Sequence, residues 1–244
     1  MIKDKVFQED VMKTLKRIPD NSIDMIWGDP DYGVGISYSG HKFQTQFEKY
    51  MKWYIALNKE CIRVLKGNGN IFMMNYPRQN AHLQVKYLEN VAHVSEYVWV
   101  YPTNVGHSPR RFTTAHRTIL HATKTRRNKF YKDQVALPYR NPEDRRIRER
   151  VANGSKGRMP YSWFERNLVK NTSQEKTTHH PCQIPVSIIE MFLNATTKQG
   201  DLVFILFGGS GNEILKTQKM GRHYLSSEII PEYCKEIEKK LINC

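Results

Sequence analysis

Two short stretches of this 244-residue chain hold residue types that could do chemistry together. Asp29-Pro30-Asp31-Tyr32 puts a carboxylate, a carbonyl held by proline's fixed φ, and an aromatic plane within four residues. That set can accept hydrogen bonds from an exocyclic amine and stack on its heterocycle. An acidic loop with one aromatic packed beneath it would read the same way. The second stretch, Phe207-Gly208-Gly209-Ser210-Gly211, is rich in glycine, which lets a backbone approach a ligand closely, and Asn212 follows it. Glu228 lies 17 residues beyond Gly211, where a carboxylate would meet ribose hydroxyls. An adenosine-containing cofactor fits this spacing. NAD does not, because the turn is not GxGxxG and no hydride-transfer partner is evident. His179 and His180 adjoin Cys182, but zinc would need at least two further ligands at sensible spacing, so no metal is expected.

These stretches need elements to hold them. Residues 22–27 (SIDMIW) read as a buried strand running into the DPDY loop, and 201–207 (DLVFILF) as one running into the glycine turn. Further strands are predicted over 70–75, 97–101, 118–122 and 222–227. Helices are predicted over 43–66, 80–91, 185–196, from Asn212, and over 231–242. Alternation of this kind indicates an α/β, doubly wound, mostly parallel sheet, with both candidate loops at carboxyl ends of strands.

The charge divides unevenly. Of the net +14, the 67 residues from Arg110 to Lys176 supply +12, with 18 Lys/Arg against 6 Asp/Glu. Phe112, Phe130, Tyr131, Tyr139, Tyr161, Trp163 and Phe164 are interleaved with them. Clustered cations are what phosphate neutralisation requires, so nucleic acid is favoured over a merely solvated insertion. An acidic membrane surface is disfavoured because the run RNPEDRRIRERVANGSKGR has no wide apolar face. No run approaches 18 apolar residues, the N-terminus has no apolar core after its charges, and the four cysteines are unpaired in sequence. A reduced, cytoplasmic protein is expected.

Taken in order, these pieces resemble a family. DMIWGDPDY is similar to the DPPY motif of amino-methyltransferases that modify adenine N6 or cytosine N4 in DNA. KTTHHPCQIPVSIIEMFLNAT resembles the family's HPTQKP element, LVFILFGGSGNE its DPFxGSG turn, and HYLSSEIIPEYCKEIEKKL its acidic-strand-and-helix ending. EDVMKTLKRIPDNSIDMI matches the lead-in, and WVYPTNVGHSPRRFTTAHRTILHATK has the family's look. Catalytic motif first, basic region next and cofactor motif last is the circularly permuted order called the β class.

The resemblance implies a Rossmann-like methyltransferase fold with residues 1–124 as catalytic half, 125–176 as an inserted target-recognition region, and 177–244 as cofactor half. It implies S-adenosylmethionine as cofactor, bound by Asp10, Asp29, His180, Phe207, Gly208, Gly209, Ser210, Gly211, Asn212 and Glu228. Catalysis would fall to Asp29, Pro30, Asp31 and Tyr32 acting on a base flipped out of double-stranded DNA. Nucleic acid would be held by Arg110, Arg111, His116, Arg126, Arg127, Arg145 and Arg146. Asp at the first motif position favours adenine N6 over cytosine N4 in this family. A catalytically weak nucleic-acid-binding partner subunit, or an enzyme acting on cytosine N4, single-stranded DNA or RNA, are the competing readings. A homodimer or a complex with a partner methyltransferase subunit is the assembly the resemblance suggests. Three motifs depart from the pattern: Asp31 replaces the second proline of DPPY, Ile205-Leu206 an Asp-Pro, and Cys182 and Ile184 a Thr and a Lys.

Overall fold

The computed structural model describes residues 2–102, 109–170, 176 and 180–242. In chain order the elements are β1 (Lys5–Gln8), α1 (Val11–Arg17), β2 (Ile23–Gly28), the small hairpin β3 (Ser37–Tyr38) and β4 (His41–Lys42), and α2 (Phe47–Val64). β5 (Leu65–Asn75) leads to α3 (Pro77–Leu83), which continues through one wider helical turn, Gln84–Leu88, into α4 (Glu89–Val91). Then come β6 (His93–Val100), β7 (His116–Thr123), α5 (Arg145–Ala152) and β8 (Trp163–Glu165). The chain closes with α6 (Val186–Thr196), β9 (Leu202–Ile205), α7 (Asn212–Lys219), β10 (His223–Glu228) and α8 (Pro231–Ile242).

One eight-stranded sheet runs β1-β10-β9-β2-β5-β7-β6-β8. Seven strands share a direction, and β7 runs against them between β5 and β6. Period-two alternation explains why both faces are covered. Ile26 of β2, Ile71 and Met73 of β5 and Phe204 of β9 point to one face, against α1 and α2 through Leu15, Tyr54, Leu57 and Cys61. Met25, Trp27, Phe72, Met74, Val203 and Ile205 point to the other, against Ile188 and Phe192 of α6, Ile214 of α7 and Ile237 of α8. The doubly wound α/β architecture expected from the sequence is the one observed. Among the described residues no helix is long and apolar enough to cross a membrane.

The direction of the chain reverses its lateral progress between two neighbours. From β9 it passes through α7 to β10 on one side, and from β2 through α2 to β5 on the other. Such a switch leaves a crevice at the carboxyl ends of the two strands. Here β9 and β2 pair directly, with Trp27 opposite Ile205, and the Leu206 N–H donates to the Trp27 carbonyl at 2.9 Å.

The amino ends of the same strands carry a different device. Asp24, 3% exposed, accepts from Lys129 Nζ at 2.8 Å, Lys66 Nζ at 2.7 Å and the Leu202 N–H at 3.0 Å. Lys129 also reaches Asp201 at 2.8 Å. Burial alone would raise the Asp24 carboxyl, but the bonds from Lys129, Lys66 and Leu202 outweigh it and hold the group below its ordinary range. Around this network the chain after β7 is fastened to the sheet. Thr125 Oγ1 donates to the Gly67 carbonyl, the Lys129 N–H to the Asn68 carbonyl and the Tyr131 N–H to the Ala195 carbonyl. Lys129→Met should therefore destabilise the protein by on the order of 2 kcal/mol, since Asp24 keeps only part of its compensation. Because the folded carboxyl is depressed, that contribution is present above pH ~4 and disappears as pH falls through the folded value. Urea denaturation at pH 7 and pH 3 checks both the size and the sign.

Candidate active site

The crevice at the β2/β9 switch holds a cavity of about 270 Å³, and both chemistry-bearing stretches open into it. Asp29, Pro30, Asp31 and Tyr32 form one wall, directly after β2. Phe207, Gly208, Gly209 and Ser210 form another, after β9. Glu228, at the carboxyl end of β10, lies beside the glycine turn, and Asp10 and His180 also line the cavity. Tyr38, Phe43, Trp53 and Tyr233 supply further aromatic wall that sequence reasoning did not single out.

Asp29 is enclosed by protein. Burial pushes its carboxyl up to about 7, against the opposing pull of a 2.5 Å hydrogen bond from the Tyr32 hydroxyl and the charge of Arg117. Asp31 accepts the Gly33 N–H at 2.8 Å through Oδ1, and burial raises its carboxyl as well. Tyr32 is held at both ends, since its carbonyl accepts from Gln79 Nε2 at 2.8 Å. Its ring meets Tyr76 edge-on at 5.1 Å.

Gly209 adopts φ +50°, and a Cβ there would stand 3.3 Å from the His180 ring, so the turn is tight against that histidine. The Gly209 N–H donates to Glu228 Oε2 at 2.7 Å, and the Ile230 N–H to Oε1 at 2.8 Å. Burial raises the Glu228 carboxyl even so. Burial, with the charges of Lys176 and Lys240, lowers the His180 imidazole to about 4, so it is neutral at pH 7. The Asp10 side chain accepts the Met12 N–H at 2.8 Å and caps α1.

Gly211 and Asn212 do not line the cavity. Gly211 takes φ +76° at the start of α7, where a Cβ would collide with Ile237 of α8. Asn212 is buried and accepts from Lys240 at 2.6 Å through Oδ1, so both residues back the turn. The basic residues are spread rather than gathered. Arg110 and Arg111 are exposed ahead of β7, and His116 opens β7 at the cavity end of the sheet. Arg126 and Arg127 are exposed beside Thr125, hence at the amino edge, opposite the cavity. Arg145 and Arg146 are more than four-fifths exposed on α5. His179 lies outside the described residues, and among those described no cluster of ligands could hold a metal ion.

The cavity suits a ligand that is part polar and part aromatic. Trp27 Nε1, Asp31 Oδ2 and Ser227 Oγ are buried at its wall with no hydrogen-bond partner among the described residues. Groups of this kind need partners from a ligand or solvent. Aromatic rings line the same cavity, as does Glu228, whose two carboxyl oxygens each accept one backbone N–H.

A DNA methylase family model matches residues 23–239. The type II methyltransferase M.BglII of Bacillus subtilis is 29% identical over 94% of this chain, which spans 66% of that protein's length. It spans 57% of a second type II methyltransferase, M.BamHI of Bacillus amyloliquefaciens, at 25% identity over 98% of this chain. Among solved structures, the PvuII cytosine-N4-specific DNA methyltransferase superposes with a TM-score of 0.75 at 18% identity, covering 98% of this chain and 86% of that one. The M1.HpyAVI–SAM complex gives 0.64 at 18% identity, covering 97% and 98%. At these identities the superpositions establish the fold.

The enclosed Asp29 carboxyl has a thermodynamic consequence. Its folded value of about 7 exceeds the ordinary 3.8, so this group's contribution to stability is full below pH ~4 and is lost as pH rises through 7. Asp29→Asn should flatten that slope and stabilise the protein at pH 8 by on the order of 2 kcal/mol. Thermal or chemical unfolding across pH 4–8 measures it, and an unchanged slope would count against the enclosed, raised carboxyl.

Proposed function

The chain belongs to the N6/N4 DNA methylase family, and from that premise we propose that it transfers a methyl group to the N6 amine of an adenine in double-stranded DNA. S-adenosylmethionine is the cofactor. When bound it supplies an electrophilic sulfonium methyl group. The observation that carries the reading is that the DPDY wall and the glycine turn, 178 residues apart in sequence, share one cavity at the sheet's switch point.

The residues divide the work by chemistry. Glu228 accepts hydrogen bonds from a ribose diol while the Gly209 N–H fixes its carboxylate. Phe207, Gly208, Gly209 and Ser210 leave room for the cofactor, with Asp10 and His180 at its flanks. An exocyclic amine is a poor nucleophile because its lone pair is delocalised into the ring. Asp29 and the Pro30 carbonyl accept its N–H bonds and localise that lone pair toward the methyl group. With the cofactor bound, the nitrogen would gain the N–C bond while the C–S bonding pair would stay on sulfur, and the spare amine proton would leave to solvent. Tyr32 presents its ring to the base, which must leave the helix to reach this depth. Positioning does the rest.

Adenine is favoured over cytosine by Asp at the first motif position. Incubating the purified chain with methyl-labelled S-adenosylmethionine and DNA from a methylation-deficient bacterium, then digesting to nucleosides, tests this. N6-methyladenine is expected; N4-methylcytosine, or labelling of RNA alone, would replace the proposed substrate. Asp29→Ala should cut transfer about a thousandfold while cofactor binding survives. Glu228→Ala should weaken cofactor binding roughly tenfold or more. DNA binding without cofactor binding or transfer would instead favour a non-catalytic partner subunit.

The structure separates two arginine pairs that the sequence groups together, and this sharpens the DNA side of the proposal. Arg145→Ala/Arg146→Ala should weaken duplex binding and reduce the slope of log affinity against log salt by roughly one to two. Arg126→Ala/Arg127→Ala, at the edge away from the cavity, should change the slope little. Fluorescence anisotropy from 50 to 300 mM salt decides between them, and the reverse pattern would overturn the assignment.

A further inference from the structure

A residue outside the motif, from β7, packs on the acceptor wall. Arg117 holds its guanidinium 3.9 Å from the centre of the Tyr76 ring, 5.0 Å from that of Tyr101 and 5.3 Å from that of Tyr32. It donates to the Tyr101 hydroxyl and, at 3.3 Å, to the His116 carbonyl; the Tyr101 hydroxyl itself donates to that carbonyl at 3.0 Å. Tyr76 in turn meets Tyr32 edge-on, and the Tyr32 hydroxyl donates to Asp29. A cation enclosed by three rings is bound by their π faces, a contact that strengthens as water is excluded.

The loop gives this placement a purpose. Asp31 introduces a second carboxylate two residues from Asp29, and its Oδ2 is buried without a partner among the described residues. Two carboxylates in one enclosed loop disfavour each other's ionised form. Three side chains act on Asp29: Asp31 and Tyr32 from its own loop and Arg117 from β7. Tyr38 from β3, Tyr50 and Tyr54 from α2 and Cys182 from the segment before α6 feel the Asp29 charge in turn. Burial raises every one of those phenols and the thiol, which favours their neutral forms. Beside the Tyr32 hydrogen bond, Arg117 is then the cation in this set that opposes the charge of Asp31.

We propose that Arg117 is a positioning residue for the amine acceptor: its guanidinium holds the Tyr32 ring against Asp29 and keeps the Asp29 carboxylate ionised beside Asp31. This rests on Asp29 being the acceptor, and it adds a role that the DPDY motif does not contain. Arg117 does not line the cavity. It acts through Tyr32 and through its field.

The sign follows from the acceptor's chemistry. An ionised Asp29 is the stronger hydrogen-bond acceptor, so transfer rises with pH through the Asp29 value of about 7. Removing a nearby positive charge raises a carboxyl further. In single-turnover transfer from labelled S-adenosylmethionine to methylation-deficient bacterial DNA, Arg117→Met should move the acid limb up by about one pH unit. At pH 6 that is a loss of about tenfold, largely recovered at pH 9, with cofactor affinity unchanged. Arg117→Lys retains the charge and should restore most of the limb's position. Tyr101→Phe, which removes one oxygen partner of Arg117 and little volume, should shift the limb in the same direction by a smaller amount.

A folded Arg117→Met variant whose limb stays in place overturns the proposal. Should that variant not fold, an unmoved limb in Tyr101→Phe overturns it instead. Asp29→Ala measured in parallel separates the two layers. If Asp29→Ala still transfers methyl groups, the acceptor reading itself fails and this role falls with it. If Asp29→Ala is inactive and the limb is unmoved without Arg117, only the role of Arg117 is lost.

Discussion

The pairing of β2 with β9 is the constraint on which the site depends. Each strand is an apolar run with both faces covered, so neither can end its loop anywhere but at the sheet's carboxyl edge. Once the Leu206 N–H bonds to the Trp27 carbonyl, the residues that follow each strand emerge side by side. Asp29 and Phe207 are brought to one cavity by the register of two strands, without any direct contact between the loops having to specify it. The reversal of winding then keeps α2 and α7 apart above that edge, which is what leaves the cavity open between them.

The two ends of this sheet treat charge in opposite ways, and the contrast separates structure from function. At the amino end Asp24 is buried among two lysines and a backbone N–H, and its carboxyl is held below the ordinary range. That is an ion pair network arranged for the folded state. At the carboxyl end Asp29, Asp31 and Glu228 are all raised by burial despite their hydrogen bonds. Carboxylates kept in an environment that disfavours their charge are characteristic of sites that do chemistry. The tension at Asp29 is relieved in part by Tyr32 and Arg117, so the acceptor is poised near neutrality.

Much of this was legible in the sequence, and the rest was hidden for identifiable reasons. β2, β5 and β9 announce themselves through the runs MIW, IFMM and LVFI, because the central part of a strand covered on both faces is apolar. β1 (KVFQ) and β8 (WFE) do not, being short edge strands whose identity comes from pairing with β10 and β6. The DPDY loop and the glycine turn were readable because each follows its strand, and Glu228 because it ends the next one. Gly211 and Asn212 follow the same turn, yet the packing of α8 against it puts them behind the cavity wall, and local spacing carries no trace of that. Arg117 was invisible for the opposite reason. In sequence it is one cation among many in a basic stretch. Its neighbours Tyr32, Tyr76 and Tyr101 arrive from three other places along the chain.

The direction of β7 also decides what the basic segment can be. Because β7 runs against its neighbours, it begins at the cavity end with His116 and delivers the chain to the amino edge at Thr123. The cations that follow immediately are therefore held at that edge, where Lys129 joins Asp24 and Asp201. β8 runs parallel to β6, with Glu165 opposite Val100, so the chain returns to the cavity end before it reaches His180. A segment that looks like one basic run is thus a circuit from one edge of the sheet to the other and back. Its first part uses positive charge to fasten the fold. The arginines of α5 lie on the excursion between the two edges, exposed and paired only with Glu149 and Asp144 of the same stretch among the described residues, which is why the proposed duplex contact falls to them and not to the cations held at the amino edge.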